Sequence, residues 1–284
     1  MPQPTATLLV TCPERKGLVA RLAGFVADNG GNIVQSDHHT DTEAGLFLSR
    51  IEWELQGFGL QRHEIGKEFE RVAQEMGASW RLRFSDDVQR IAVFVTRQDH
   101  CLLDILWRVR AGELNATVPL VIGNHPDLAP VAELFGAPFH HVPVRFNDRH
   151  DAERRKLNLL KDNAIDLVIC AKYMQILSTE FLAEAPPVIN IHHSFLPAFV
   201  GDRPYHKAHA RGVKLIGATA HYATPDLDEG PIIEQEVARV SHRDNVSDLI
   251  RRGRDVERLA LSRAVRLHIE GRVMVYGNRT VVFD

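Results

Sequence analysis

Cysteine is scarce in this 284-residue sequence. The three cysteines, Cys12, Cys101 and Cys170, are widely separated and odd in number. This usage fits reduced thiols and excludes the disulfide framework of a small secreted domain. A catalytic thiol remains an open alternative.

Long apolar runs and long runs of like charge are also missing. No apolar run approaches the roughly 20 residues of a membrane-spanning helix, and the first residues lack the basic region and apolar core of a signal peptide. Charges of both signs are interspersed and the formal net charge is −3, which disfavours a protein that binds phosphate backbones. We therefore expect a cytoplasmic protein that binds neither nucleic acid nor membranes.

The chain is long enough for two domains, since its 284 residues are 44% hydrophobic. The first part predicts strand, helix, strand, strand, helix and strand, over residues 5–11, 17–28, 32–39, 46–55, 61–76 and 80–84. This order is the ferredoxin-like βαββαβ arrangement. A polar break near residue 87 then predicts domains at residues 1–86 and 87–284.

The second part alternates strands with helices. Strands are predicted at residues 90–96, 118–122, 139–142 and 167–170, and helices at 102–109, 128–135 and 152–163. This alternation predicts an α/β fold with a doubly wound, mostly parallel sheet and helices on both faces. Two helices at 247–253 and 256–267 and a hairpin of strands 273–276 and 280–283 end the chain.

Polar side chains gather where strands 188–191 and 215–221 give way to loops, which is where open α/β sheets bind ligands. They are Asn190, His192 and Ser194 after the first strand and Asp226, Asp228 and Glu229 after the second. An amide donor for an oxyanion, an imidazole and a carboxylate base are what acyl transfer to water or to an amine needs. Taken singly, such residues also occur as turn formers or buried hydrogen-bonding groups.

Two other chemistries compete for these residues. Ser194 lacks the Gly-x-Ser-x-Gly elbow of a serine nucleophile, so we interpret it as a cap of the loop. His192 and His193 would point to opposite faces of a strand and would not easily bind one ion. His206 and His209 share a helical face, but no Cys, Asp or Glu accompanies them at zinc-type spacing. No metal is expected.

The longer string of Asn190-Ile191-His192, residues 194–197, His221 and residues 228–232 closely resembles the folate-dependent formyltransferase superfamily. The whole chain is similar to its hydrolytic branch, which splits 10-formyltetrahydrofolate into tetrahydrofolate and formate. The resemblance implies that Asn190 and protonated His192 stabilise the oxyanion, that Asp228 is the base and that His221 orients or tunes Asp228. Such a hydrolase would supply formate for purine biosynthesis and balance the one-carbon pool, without a tightly bound cofactor.

The same resemblance implies a pterin pocket for the folate substrate. It is formed by Met174, Gln175, Ile176 and Leu177, which follow the strand at 167–170. A flat heteroaromatic ring needs an apolar slot with a few polar groups. From the residues alone, Ile176 and Leu177 also fit a hydrophobic core.

Residues 12–17 and 30–33 resemble the ACT regulatory domain, whose first strand–helix loop and next strand edge often bind a small amino acid. The resemblance implies an effector site at Gly17 and Asn32. It also implies a homo-oligomer, because ACT domains commonly pair. Gly17 alternatively opens a helix, and Asn32 alternatively satisfies a turn.

Glycine is absent from residues 97–102, the loop after the first strand of the second part. Formyltransferases with a phosphorylated amine acceptor carry a glycine-rich turn there, whose backbone donors cradle the phosphate. Its absence favours water as the acceptor. The alternatives are a formyltransferase that binds its amine elsewhere and an ACT-containing sensor that only binds folate. Asp202 stands where relatives have a small residue before the arginine, which leaves that loop's packing and substrate contacts open.

Overall fold

The computed structural model describes residues 3–145, 148–197 and 204–283. The chain forms two compact units, one of Met1–Asp87 with Glu270–Tyr276 and Val281–Asp284, the other of Val88–Ile269 with Gly277–Thr280. This grouping differs from the predicted division, 1–86 and 87–284, at the C-terminus. The reason is a buried apolar cluster in which Met274 and Phe283 pack with Leu9 and Leu48.

The first unit has the ferredoxin-like topology that the sequence predicted. Its elements are β1 (Thr5–Pro13), α1 (Leu18–Asp28), β2 (Ile33–Asp41), β3 (Leu46–Glu54), α2 (Arg62–Met76) and β4 (Ser79–Phe84). The sheet order is β2-β3-β1-β4 with antiparallel neighbours. Phe25 of α1 and Phe69 of α2 meet edge to face at 5.2 Å within the core.

The second unit begins with β5 and ends with a long helix. Its elements are β5 (Gln89–Val95), α3 (His100–Arg110), β6 (Ala116–Gly123), α4 (Ala129–Leu134), β7 (Phe139–His141), α5 (Arg149–Asp162), β8 (Leu167–Cys170), α6 (Thr179–Glu184), β9 (Val188–His192), α7 (Pro204–Arg211), β10 (Leu215–Tyr222), β11 (Ile232–Arg239) and α8 (Val246–Ile269). The short strands β12 (Val273–Tyr276) and β13 (Arg279–Val282) follow as a two-stranded sheet. The sequence did not predict α6, α7 or β11.

The large sheet of the second unit is mostly parallel, as predicted. Among the described residues its order is β11-β10-β9-β8-β5-β6-β7. The five strands from β9 to β7 run parallel, and β10 and β11 add two antiparallel strands at one edge. Ala92 and Phe94 of β5 pack with Leu157 and Phe181 on one face, and the intervening Val93 is also fully buried. Burial on both faces is typical of a doubly wound sheet.

Helix α8 is continuous, whereas the sequence predicted two helices with a break after Gly253. A Cβ at Gly253 would lie 2.0 Å from the hydroxyl oxygen of Tyr205. The glycine therefore permits a close approach between α8 and α7 rather than a break. None of the helices in the described residues is both long and apolar enough to cross a membrane.

Candidate active site

The register between β9 and β10 brings the predicted catalytic side chains together. Asn190 and His192 are two residues apart on β9 and therefore share one face of the sheet. Across the antiparallel ladder Asn190 lies opposite His221, and His192 lies opposite Thr219. One face of this strand pair thus presents an amide and two imidazoles.

The antiparallel direction of β10 was not expected, because the sequence interpretation placed the two strand ends side by side. Tyr222, the last residue of β10, instead pairs with Ile189 near the start of β9. The following loop must fold back to carry Asp228 to His192. Two features of the loop backbone allow this turn. Asp228 adopts a left-handed conformation with φ 58°. Gly230 permits a close approach to the end of β10, because a Cβ there would lie 1.8 Å from the Tyr222 carbonyl oxygen.

Asp228 lies between the two histidines. Its Oδ2 is 3.1 Å from His192 Nδ1, and its Oδ1 is 3.7 Å from His221 Nε2. Burial alone would raise the pKa of the Asp228 carboxyl, but the hydrogen bond and charge from His192 outweigh burial and hold this pKa well below its usual range. Asp228 is therefore an anion at neutral pH.

The orientation of Asn190 follows from the hydrogen bonds of His221. His221 Nδ1 lies 2.9 Å from the Tyr222 carbonyl oxygen, which only accepts, so Nδ1 carries a proton. In the neutral ring Nε2 is then an acceptor, and Asn190 Nδ2 donates to it at 3.2 Å. Asn190 keeps a second amide hydrogen for another acceptor. His221 is thus closer to Asn190 than to Asp228.

The predicted catalytic and pterin-binding residues line one cavity of about 340 Å³. Asn190, His192, His221 and Asp228 form part of its wall, and residues 174–177 form another part. Met174 and Ile176 are 56% and 55% exposed, so the core interpretation does not hold for Ile176. Leu177 does pack against the core.

Hydrogen bonds from neighbouring elements hold the segment 174–177 in place. The Met174 N–H donates to Thr96 Oγ1 at 2.9 Å, and Arg149 Nη2 donates to the Ile176 carbonyl at 2.7 Å. At the end of the segment, Ser178 caps α6 by accepting from the Phe181 N–H. Exposed apolar side chains on a tethered backbone are what a flat ring requires.

Three further cavity residues were missed as functional candidates. They are Lys172, His193 and Leu227. Leu227 is 57% exposed beside Asp228, and a large apolar residue inside an acidic turn was the available sequence signal. For His193 the strand-alternation argument was wrong: β9 ends at His192, and the two rings stack with centroids 5.0 Å apart and planes 18° apart.

A buried carboxylate lies behind this wall. Glu257 of α8 is 1% exposed and accepts from His100 Nε2 at 2.7 Å, the Tyr205 hydroxyl at 2.7 Å and Lys172 Nζ at 3.4 Å. Burial alone would raise the pKa of Glu257, but these three donors outweigh it and lower this pKa to about 2. His100, Cys101 and Glu257 could reach one ion, but the ammonium of Lys172 already neutralises the carboxylate, so we assign the group to an ionic network.

The alternative nucleophiles have unsuitable surroundings. All three cysteines are buried free thiols, and burial raises the pKa of Cys170 to about 12 and that of Cys101 well above its usual range. The Ser194 hydroxyl is buried with no hydrogen-bond partner among the described residues. Ser194 contributes its carbonyl instead, which accepts from Thr219 Oγ1 at 2.9 Å.

The two predicted effector residues lie in the first unit, on its surface. Gly17 precedes α1 with φ 90°, and its carbonyl accepts from the Arg21 N–H at 3.0 Å, which supports a role in opening the helix. Asn32 donates to Glu54 Oε2 at 2.9 Å. Asp202, the residue that departs from the expected loop sequence, lies outside the described residues.

Comparison with known proteins adds to this geometry. A formyl transferase family model matches residues 89–265, and an ACT domain family model matches residues 6–73. A formyltetrahydrofolate deformylase of Synechocystis sp. is 58% identical over 98% of this chain and 98% of its own length. The crystal structure of a formyltetrahydrofolate deformylase from Pseudomonas syringae pv. tomato has a TM-score of 0.97 at 44% identity and covers 100% of this chain and 96% of that chain.

A formyl-transferring enzyme is also similar, over less of the chain. The structure of glycinamide ribonucleotide transformylase 1 from Symbiobacterium toebii has a TM-score of 0.67 at 32% identity and covers 72% of this chain and 98% of that chain. The deformylases alone among these three extend over both units. The chain therefore belongs to the formyltetrahydrofolate deformylase family.

Proposed function

We propose that this protein hydrolyses 10-formyltetrahydrofolate to tetrahydrofolate and formate through the cavity in its second unit. The observation that carries the proposal is the convergence of Asn190, His192, His221 and Asp228 on one cavity wall. Family membership over nearly the whole chain supports the same reaction. Formate for purine biosynthesis and balance of the one-carbon pool are the cellular roles that this reaction would serve.

In this proposal the pterin ring lies against the segment 174–177. Met174 and Ile176 would cover the ring faces, and the backbone groups of Gln175 and Leu177 would pair with its polar edge. The formyl carbon would then lie near Asn190 and His192 at the other part of the wall. His192 Nε2 is buried and has no partner among the described residues, so a formyl oxygen there would satisfy it.

The chemistry is attack of water on the formyl carbon. A new C–O bond forms, and the carbonyl oxygen becomes an oxyanion that accepts hydrogen bonds from Asn190 Nδ2 and from protonated His192. Asp228 takes the proton of the water and passes it to the folate nitrogen, and the C–N bond then breaks to release formate and tetrahydrofolate. The lowered pKa of Asp228 keeps the carboxylate ionised and able to accept this proton.

His221 has an orienting role in this scheme. Its Nε2 accepts one amide hydrogen of Asn190 at 3.2 Å, which directs the other amide hydrogen to the oxyanion. The backbone carbonyl of Tyr222 holds the other ring nitrogen at 2.9 Å. His221 thereby sets the direction of the Asn190 amide, and its Nε2 also lies 3.7 Å from Asp228 Oδ1.

Water is the acceptor in this proposal because the loop before α3 lacks a phosphate cradle. Residues 97–102 contain no glycine, and His100 at the start of α3 is buried and bound to Glu257 at 2.7 Å. The His100 side chain is therefore engaged with Glu257 and is not available to an entering phosphate. A formyltransferase with an amine acceptor is the alternative.

Several further proposals follow from family membership and from the ACT domain match. A small amino acid would bind the first unit near Gly17 and Asn32 and regulate the enzyme. The protein would work as a homo-oligomer, with the functional domains at residues 1–86 and 87–284. Three reduced, buried thiols favour the cytoplasm, and the reaction needs no bound cofactor or metal.

The test is formate release from 10-formyltetrahydrofolate by the purified full chain without any added amine. Equal amounts of formate and tetrahydrofolate are expected. Formation of tetrahydrofolate only when an amine is supplied, with the amine becoming formylated, would identify a transferase. Folate binding without turnover in either condition would identify a sensor.

A further inference from the structure

The stacked pair of His192 and His193 gives one catalytic ring a second aromatic ring as its support. The centroids are 5.0 Å apart and the planes differ by 18°. His192 Nδ1 also lies 3.1 Å from Asp228 Oδ2. His192 is therefore held between a carboxylate, which fixes the direction of its Nδ1, and a neighbouring ring, which fixes its plane.

The buried network behind His193 keeps this supporting ring in place. The Tyr205 ring lies 6.3 Å from the His193 ring, and the Tyr205 hydroxyl donates to Glu257 at 2.7 Å. Glu257 also binds Lys172 at 3.4 Å and His100 at 2.7 Å. Lys172 is one of few non-glycine residues with positive φ in the described chain, at 59°, and this conformation places it on the cavity wall.

Burial and the charges around His193 keep it neutral. Burial, and then the positive charges of Lys172 and His192, lower the pKa of His193 to about 4, while Glu257 and Asp228 act weakly in the opposite direction. Lys172 and Asp228 act from the two cavity loops and Glu257 acts from α8, and Tyr205 of α7 packs beside the ring. A neutral ring can stack against a protonated one, whereas two protonated rings at this separation repel each other.

We propose that His193 is a positioning residue for the hydrolysis: as a neutral ring stacked on His192, it holds the His192 ring against Asp228. Burial and the charge of Lys172, which is anchored by Glu257, keep His193 uncharged, so that its ring can stack on His192 without repulsion. This inference rests on the proposed function. It deepens that function by assigning roles to two cavity residues that do not take part in proton transfer.

The first test separates the stack from the charge. His193→Phe keeps a ring and His193→Ala removes it. We expect His193→Ala to lower kcat about tenfold while KM changes less than about twofold, because substrate binding does not depend on the His192 orientation to the same degree. His193→Phe is expected to retain several times more activity than His193→Ala. His209→Phe, at an exposed histidine on α7, is the matched control and is expected to behave as wild type.

The second test uses the pH profile. In Lys172→Met the charge that opposes protonation of His193 is gone, so we expect the acid limb of kcat/KM to move to higher pH by about one unit. In Lys172→Met/His193→Phe the limb is expected to return to the wild-type position, because no imidazole remains at residue 193. Circular dichroism would establish that each variant is folded; the comparison of the two His193 variants does not depend on Lys172.

Two results would overturn the proposal: equal kcat in the phenylalanine and alanine variants, or an acid limb that stays shifted in the double variant. An unshifted limb in folded Lys172→Met would refute the charge argument. Failure of the wild-type chain to release formate is a different outcome, because it would reject the proposed function before any variant is compared.

Discussion

Replacement of Asp228 by asparagine is the most direct test of the proposed chemistry. The change is nearly isosteric and removes one negative charge at 3.1 Å from His192 Nδ1. Two unit charges at that distance attract by about 5 kcal/mol at an effective dielectric constant of about 20. Proton transfer by a positioned group is typically worth about 10²–10⁴-fold in rate, or about 3–5 kcal/mol. Loss of this proton transfer is what asparagine causes, and we therefore expect kcat for formate release to fall about 10³-fold.

The assay is steady-state formate release from 10-formyltetrahydrofolate without added amine, at pH 7. Asp226→Asn is the matched control, because Asp226 is exposed in the same loop and is engaged through its backbone carbonyl. The control is expected to keep kcat within about twofold of wild type. Asp228→Asn with more than about a tenth of wild-type kcat would refute the role of Asp228 as proton relay and would leave only a contribution to packing.

Three further predictions concern binding and stability. Met174→Ala should raise KM for the folate about fivefold or more with little change in kcat, because it removes apolar contact made equally in ground and transition states. Gly253→Ala should lower the free energy of unfolding by about 1–3 kcal/mol, since the new Cβ overlaps the Tyr205 hydroxyl. Gly24→Ala in α1 should raise the free energy of unfolding by about 0.5–1 kcal/mol, because nothing lies within 4 Å of the new Cβ. Urea denaturation midpoints measure both changes. Glu257→Gln should cost about 3–5 kcal/mol at pH 7, because it leaves a buried ammonium without its counter-charge. The pKa of Glu257 is lowered on folding, to about 2, so this carboxylate stabilises the protein above its unfolded-state pKa of about 4.3. The stability lost in Glu257→Gln should therefore shrink as pH falls from about 5 toward 2. A loss that does not change over that range would contradict the argument.

Much of the fold was predictable because the apolar periodicity and the order of the elements along the chain agree with the topology that the chain adopts. The strand and helix order of the first unit led to the correct ferredoxin-like arrangement, and the alternation in the second unit led to the mostly parallel sheet. Helix α7 and the edge strand β11 were missed. The sequence of β11, Ile232–Arg239, is largely polar, so it lacks the apolar signal of the buried strands.

Helix α8 and the C-terminal strands show where tertiary contacts override local signals. Gly253 predicted a helix break from the sequence, but in the structure it allows the Tyr205 side chain to approach the α8 backbone closely. Residues 6–10 of β1 are buried on both faces, which is possible only because Met274 and Phe283 cover Leu9. A contact between residues more than 260 positions apart has no local signature.

By itself, the sequence determined the fold class and the set of polar groups near the cavity, because strand periodicity, the Asn190-x-His192 spacing and the turn around Asp228 are local features. The family followed from the resemblance of that string of residues to known enzymes. Only the tertiary structure decided how these groups pair. The antiparallel direction of β10 places His221 opposite Asn190, and the end of β9 at His192 lets His193 stack beside it. Strand direction and strand termination depend on packing across the whole sheet, so the orientation of the Asn190 amide and the stacking on the His192 ring were not available from the chain alone.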